Sequence, residues 1–464
     1  MYDNKNKIER VIFVSGILKL ETPCMIGSGN DTNTDIDVVK DNNDIPYIPR
    51  SSIAGVLRSF LSDGSKEDDE PEYVKCLFGK RKKDNDESTI SPIYFYDMNM
   101  INYSNERIST RDGVKLDYKT KTSMENNKYN YEVIENGSCF LFRMEIQLRR
   151  KLSYLNDKVE SILYRILYSM IDGEIRLGGK TNRGLGKCTI DKNSIKILDL
   201  NFKDEEYLEE NLTKWFNFDW NSFDGNKKLD ELKHETHINN IKTIKVPLNI
   251  DTSIIIRSYN NLENSDQKHI TSNGIPVIPG TSWGGAIRSG CYKILKLFYD
   301  KLLKLDDDKI DNKINNKIND KINSNINCIF GYVDIESKKA ETSKILIEEA
   351  KINNGRTLYQ TRVKIDRFTG GAAESALFNE EPIYGGETYL TIKIKSKEDW
   401  ITGLLILVIK DIQNGFIPIG GETSVGRGIM NGDKIYIDNE VVDSNTERKY
   451  LKSLYDFIVG GVSK

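Results

Sequence analysis

Histidine is almost missing from this chain: three residues, His234, His237 and His269, in a total of 464. That scarcity argues against a zinc centre. Cysteine is little more frequent, with six residues scattered at 24, 76, 139, 188, 291 and 328. None forms a CxxC pair or a metal-like spacing, so reduced thiols and a cytoplasmic location are the expected state. No Ser-His or Cys-His nucleophile arrangement is visible. Long apolar runs are lacking too. The most apolar stretch, ITGLLILVIKDI at 401–412, is too short for a bilayer and carries charges, so no membrane partner is expected. The opening MYDNKNKIER is polar and leads straight into a strand pattern, so no secretory signal is expected there. A strong charge bias is also absent. The net charge of −3 excludes a surface coated in basic residues but leaves room for a basic groove.

What the chain has is repetition. Residues 45–58 read IPYIPRSSIAGVLR and residues 275–288 read IPVIPGTSWGGAIR. A glycine-rich turn follows each, LGGKTNRGLGK at 177–187 and IGGETSVGRGI at 419–429. Between them, in the same order, CLFG at 76–79 matches CIFG at 328–331, and TRDGVKLD at 110–117 matches TRVKID at 361–366. Four collinear matches indicate a duplicated domain. A length of 464 residues gives each copy about 200, enough for its own core.

The boundaries read as a first domain at 8–200, a connector at 201–241, a second domain at 242–440 and a helical tail at 441–464. In copy one, VIFVSGILKL predicts a strand. Ile53, Val56, Leu57, Phe60 and Leu61 predict a helix, with Ser51 or Ser52 as its N-cap. A second helix is expected at 155–172, then the glycine turn and a closing strand. Copy two repeats the order, with helices from Thr281 or Ser282 and at about 398–413. Strand, helix, strands, helix, strand is the order of a split β-α-β, ferredoxin-like unit, and the fold class is α+β. The acidic connector carries Trp215 and Trp220 and reads as partly helical. The Lys-Ile-Asn tract at 304–326, with Ile at 310, 314, 318, 322 and 326, has the spacing of one helical stripe, and its leading reading is a low-complexity insertion that lengthens the helix of copy two.

Three places can carry chemistry. The glycine turns are not P-loops: Glu174 stands where GxxxxGK needs glycine, and Glu422 replaces Lys180 in copy two. Gly178, Gly179, Gly184 and Gly186 allow close backbone approach, Thr181 and Asn182 add donors, and Lys180 and Arg183 add charge. Such a loop suits an RNA backbone, or is simply a tight helix-to-strand turn. The helix starts at Ser51, Ser52, Thr281 and Ser282 present free amides to an anion, with Arg58 and Arg288 two turns on, or are plain helix caps. The third place is the acidic loop before each IPxIP turn, which holds Asp31, Asp35, Asp37, Asp41 and Asp44 in copy one. Its spacing excludes an EF-hand. Asp266 of copy two falls opposite Asp35. A carboxylate there can orient or deprotonate a ribose 2′-hydroxyl or hold a hydrated cation.

A strand ending in I-G-x-G, then D-x-x-V-x-K-D, I-P-x-I-P, L-F-G and a late G-G-x-x-x-x-G-x-G resembles the RAMP superfamily of CRISPR-associated proteins. The pattern is most similar to the backbone subunit of type III effector complexes, and it covers roughly 10–197 and 243–438. The resemblance implies two tandem modified ferredoxin-like (RRM-like) domains with thumb hairpins near 111–135 and 362–385. It implies guide (CRISPR) RNA, target RNA and other type III effector subunits as partners. It also implies an aspartate, Asp35 and its counterpart Asp266, that cuts target RNA with a divalent cation, Mg2+. It extends the RNA-binding set to Arg50, Arg111 and Lys115 in copy one, and to Gly280, Arg362, Lys364, Gly421, Thr423, Ser424 and Arg427 in copy two. Two departures stand out. Arg50 replaces the usual glycine after IPxIP, and Arg257, Ser258 and Tyr259 replace I-G-S-G in copy two.

The leading expectation is a double backbone subunit that cleaves target RNA. Against it stand a non-catalytic subunit that grips guide RNA or caps the filament, and a guide-processing endoribonuclease. The last often uses histidine, which neither the glycine turns nor the helix starts contain.

Overall fold

Successive side chains of a strand face opposite ways, so consecutive apolar residues require cover on both faces. The opening strand Ile8–Leu20 is such a strand: Ile12, Val14, Leu18 and Leu20 enter one core, and Val11 and Phe13 another. In the computed structural model, which describes residues 4–29, 32–63, 69–79, 91–116, 123–232, 241–258, 265–302, 312–334 and 338–462, this strand organises the first of two compact units. The first unit comprises Met1–Thr110, Asn130–Thr181 and Leu185–Ile238. The second comprises Arg111–Tyr129, Asn182–Gly184 and Asn239–Lys464.

In the first unit the opening strand pairs antiparallel with Cys139–Arg149, which in turn pairs with Ile93–Phe95. Its other edge takes Cys188–Ile190 at one end and Lys196–Asn201 at the other. Helices Arg50–Leu61 and Asn156–Ile171 supply Ile53, Leu57, Leu61, Val159, Leu163, Ile166 and Leu167 to the core on one face. These are the helical stripes that the apolar spacing predicts.

The opposite face explains the connector. Val11, Phe13, Leu198 and Leu200 are covered by Phe202, Trp215, Phe218, Trp220 and Phe223. Phe218 stacks on Phe13 with ring centroids 3.7 Å apart. Residues 202–223 are therefore an outer layer of the first unit, with one helix at Leu208–Phe216, and Leu229 and Leu232 beyond them join its inner core. Each large side chain so covered contributes about 1.5–3 kcal/mol.

The second unit repeats the plan. Lys242–Ile250 pairs antiparallel with Glu387–Ile394, which pairs with Ile345–Ile347, and its other edge takes Met430–Asn431 and Tyr436–Ile437. Helices Gly280–Leu302 and Asp399–Gln413 cover the inner face. The Lys-Ile-Asn tract corrects its sequence reading. It does not prolong the preceding helix; Asn312–Phe330 is a helix of its own, in the place of Glu72–Phe78 in copy one. Ile318, Ile322, Ile326 and Ile329 bury in the core with Tyr292, Leu295 and Tyr299. Residues 303–311 lie outside the described residues. The terminal helix Ser444–Val462 adds Tyr450, Leu454 and Ile458 to the same core, and Phe457 stacks on Trp400 at 4.0 Å.

Each copy also carries a hairpin where a thumb is expected: Ile108–Leu116 with Ser123–Ile134, and Gln360–Ile365 with Ala372–Glu381. Residues 117–122, at the turn of the first, lie outside the described residues.

Candidate functional site

The loop before the first IPxIP turn is built around a buried carboxylate. Asp37 is 4% exposed. Its Oδ2 accepts from the Thr32 amide at 3.0 Å, the Thr32 hydroxyl at 2.7 Å and the Asn33 amide at 3.0 Å. Its Oδ1 accepts from the Thr34 amide at 2.9 Å and hydroxyl at 2.8 Å. Burial disfavours its charge, but these donors outweigh burial and hold its pKa well below the usual carboxylate range. Asp35 stands exposed on this loop. Its amide donates to Asn130 Oδ1 at 2.9 Å and its Oδ2 accepts from the Asn130 amide at 2.7 Å. Asn130 lies on the return strand of the first hairpin. Asp31 lies outside the described residues.

Copy two sets Asp266 in the same relation to its hairpin. Asp266 is exposed, its Oδ2 accepts from the Asn379 amide at 2.8 Å, and its own amide donates to the Asn379 carbonyl at 3.0 Å. The loop is fastened differently, through His269, a residue to which the sequence reading gave no role. Its ring is 2% exposed; one nitrogen, Nδ1, accepts from the Ile256 amide at 3.2 Å and the other, Nε2, lies 3.0 Å from the Val277 carbonyl. That pattern assigns the neutral tautomer with its proton on Nε2, and burial lowers the pKa to about 4.

The two glycine turns share one backbone and differ in chemistry. Gly178 and Gly420 have φ of +79° and +94°, and a Cβ there would fall 2.2 Å from the Met25 carbonyl oxygen and 2.6 Å from that of Ile255. The next amides, of Gly179 and Gly421, donate to those same carbonyls at 2.7 and 2.8 Å. The following residues, Lys180 and Glu422, both sit at φ +56°. Lys180 turns inward, its ammonium buried 3.2 Å from the centre of the Tyr131 ring. Glu422 binds Arg257 at 3.1 Å, Arg362 at 2.7 Å and Arg427 at 3.1 Å. Burial opposes its ionisation, but these guanidiniums prevail and lower its pKa. Fully buried Glu380 takes Arg362 and Arg427 as well, at 3.0 and 2.5 Å.

Several residues expected to grip RNA are thus committed elsewhere. Arg362 and Arg427 neutralise Glu380 and Glu422, and Lys180 packs on Tyr131. Arg111 is 3% exposed and paired with Glu349 at 2.5 Å, and Arg58 is bidentate on Glu70. The first helix start is corrected too. The helix begins at Arg50 with Pro49 at the cap, no side chain there bonds to it, and the Arg50 amide donates to Asp97 Oδ1 at 2.7 Å. A carboxylate 47 residues away already occupies part of the expected anion position. Ser51 is exposed and Ser52 half-buried in the first turn.

Other expected residues do converge. Arg183 is exposed, and its charge, after burial, helps to lower the pKa of Arg288. Arg288 donates to Asn327 at 3.1 Å and lies over the Phe330 ring. Gly280 is buried and a Cβ there would fall 2.3 Å from the Arg183 carbonyl oxygen, with Thr281 and Ser282 half-buried beside it in the first helical turn. Asn182 accepts weakly from Lys395 at 3.4 Å. Thr181, Thr423 and Ser424 line the turns, Ser424 exposed. Among the described residues, Arg50, Arg183, Arg288 and Lys364 have no carboxylate within 4 Å. The Lys115 side chain lies outside the described residues.

The described residues contain no cluster of three or more acid, histidine or cysteine side chains able to cage a metal. The one hairpin-bonded carboxylate of each copy, Asp35 or Asp266, is compatible with Mg2+, which takes most of its shell from water and substrate phosphates. One cavity lies apart, lined by Arg10, Glu160, Asp199 and Lys227, whose charges pair with one another.

Two α+β domains, each with an exposed aspartate tied to a hairpin and each with a glycine turn, agree with what comparison finds. A model of the RAMP superfamily matches residues 17–189 and 248–431. The chain belongs to the RAMP superfamily and carries two RAMP domains. That makes it a CRISPR-associated RAMP subunit, from a family that binds CRISPR RNA and includes some ribonucleases. No curated protein matches the chain. Among the described residues no helix is long and apolar enough to cross a membrane.

Proposed function

We propose that this chain is a double backbone subunit of a type III CRISPR effector complex, holding guide RNA and cleaving complementary target RNA at Asp35 and Asp266. The observation that carries the reading is the matched pair of exposed carboxylates, each bonded through Oδ2 to a backbone amide of its hairpin's return strand, Asn130 or Asn379. That bond leaves the second oxygen of each carboxylate to face a substrate.

The RNA supplies its own nucleophile. The 2′-oxygen attacks the adjacent phosphorus and the bond to the 5′-oxygen breaks. The 2′ proton passes to solvent and the leaving 5′-oxygen takes one from solvent, giving a 2′,3′-cyclic phosphate and a 5′-hydroxyl. A divalent cation, Mg2+, held by the same carboxylate would offset the charge that develops on the phosphate. Asp35 and Asp266 would be its protein ligands.

The test is cleavage of complementary RNA by the assembled complex. Asp35→Asn is expected to erase one product and Asp266→Asn another, with guide binding intact in both. A 2′-deoxy substitution at the scissile nucleotide should block the cut, and EDTA should stop it. If Asp35→Asn and Asp266→Asn both leave every product in place, the chain binds RNA without cutting it.

A further inference from the structure

We infer that Asp37 is the positioning residue of the first cleavage loop: buried among Thr32, Asn33 and Thr34, it fixes the backbone on which Asp35 stands. The inference rests on the cleavage reading of Asp35. Five donors from three consecutive residues converge on the two oxygens of one carboxylate. Residue 34 is thereby held on one side of Asp35 and residue 37 on the other, so the loop has little freedom to move the carboxylate between them. The two bonds between Asp35 and Asn130 are then made from a backbone already set.

An ionised carboxylate only accepts, which suits a ring made wholly of donors. Asparagine at 37 would turn an NH2 group toward amide and hydroxyl donors in a buried space, leaving donors unpaired and reshaping the loop. Copy two has a different residue at this place. Matching Asp35–Asn130 to Asp266–Asn379 puts Lys268 in the place of Asp37. There the backbone is held by strand Gln267–His269, paired with Arg257–Ser258 and with Glu380–Glu381. A change at Asp37 therefore acts on one of two cuts made by the same molecule, and the other cut serves as the internal control.

Single-turnover cleavage by the guide-loaded complex tests this. Asp37→Asn is expected to slow the first cut about 100-fold, the effect of a displacement of roughly 1 Å, while target affinity and the second cut stay at wild-type level. Thr34→Ser, which keeps both donors, should behave as wild type, and Thr34→Val should fall between. Hydrogen exchange gives a readout apart from activity. The Asn130 amide, which touches Asp35 and not Asp37, should exchange faster in Asp37→Asn. A first cut within twofold of wild type, with the Asn130 amide unchanged, overturns the inference. So does joint loss of guide binding and both cuts, which would make Asp37 a general folding residue. Asp35→Asn, run beside it, separates the two ideas. If it abolishes the first cut and Asp37→Asn does not, only the positioning role fails; if it changes nothing, the cleavage reading fails, and the exchange rate alone decides whether Asp37 sets the loop.

Discussion

Positions 180 and 422 show what a duplicated backbone retains and what it lets go. Lysine and glutamate occupy the same left-handed conformation at φ +56°, one over a tyrosine ring and the other inside a cage of arginines. The glycines around them are fixed by geometry. At Gly428, φ is +77° and a Cβ would fall 1.9 Å from the Ile419 carbonyl oxygen. Gly428→Ala should cost upwards of about 1–3 kcal/mol, the scale of local backbone strain, as read by urea unfolding; an unchanged midpoint would refute the strain. His269 gives a pH dependence of definite sign. Its folded pKa of about 4 lies below the ordinary 6.5, so the unfolded chain takes the proton more readily. Its contribution is complete above pH 6.5, falls as pH drops through that value, and levels off near pH 4. The loss at the acid end is on the order of 3 kcal/mol. Unfolding of wild type and His269→Gln at about pH 7.5 and about pH 4.5, either side of the ordinary histidine pKa, should show the difference shrinking on acidification. A constant difference would remove the histidine from the account.

Elements were legible where local pattern decides them. The opening strands, the helices at 50–61, 156–171, 280–302 and 399–413, and both glycine turns follow from apolar spacing and from the repeats. What stayed hidden depends on partners distant in sequence. Asp97 caps a helix 47 residues away, Tyr131 receives Lys180, and Glu380 collects two arginines that a motif alone offers to RNA. The aspartate loops were legible from the repeat and the resemblance, but the Asp37 donor ring was not, because acids in a polar loop ordinarily face solvent. The Lys-Ile-Asn tract misled for a related reason. Its composition is simple, yet isoleucine every four residues is a helical stripe, and its core partners lie on another helix. Ile322→Ala should therefore cost about 2–5 kcal/mol, and equilibrium unfolding that shows no loss would return the tract to the status of an insertion. In the second hairpin, Glu380→Ala would leave the charges of Arg362 and Arg427 to Glu422 alone, at a cost of about 1.5–3 kcal/mol in the same assay.

At the scale of the molecule, the net charge of −3 hides which cations are left to meet RNA, since Arg111, Arg362 and Arg427 are committed to internal pairs. Burial first, and then the charge of Arg183, lowers the pKa of Arg288, a condition that phosphate relieves. Replacing both by alanine should weaken guide binding alike for unrelated guide sequences. The log–log salt slope should fall by up to about 0.7 for each phosphate of a single strand that is no longer neutralised. A weakening confined to one guide sequence would point to base reading instead.

The aromatic layer on the first sheet has an optical consequence. The chain has four tryptophans, and they divide evenly: Trp215 and Trp220 lie half-buried in that layer, and Trp283 and Trp400 lie buried in the second core. Emission from the intact protein should therefore hold two components, a redder one that acrylamide quenches readily and a bluer one that it barely reaches. Changing Trp215 and Trp220 to phenylalanine leaves a chain whose tryptophan emission speaks for the second RAMP domain alone, so that the acid loosening set by His269 can be watched there without cutting the protein in two.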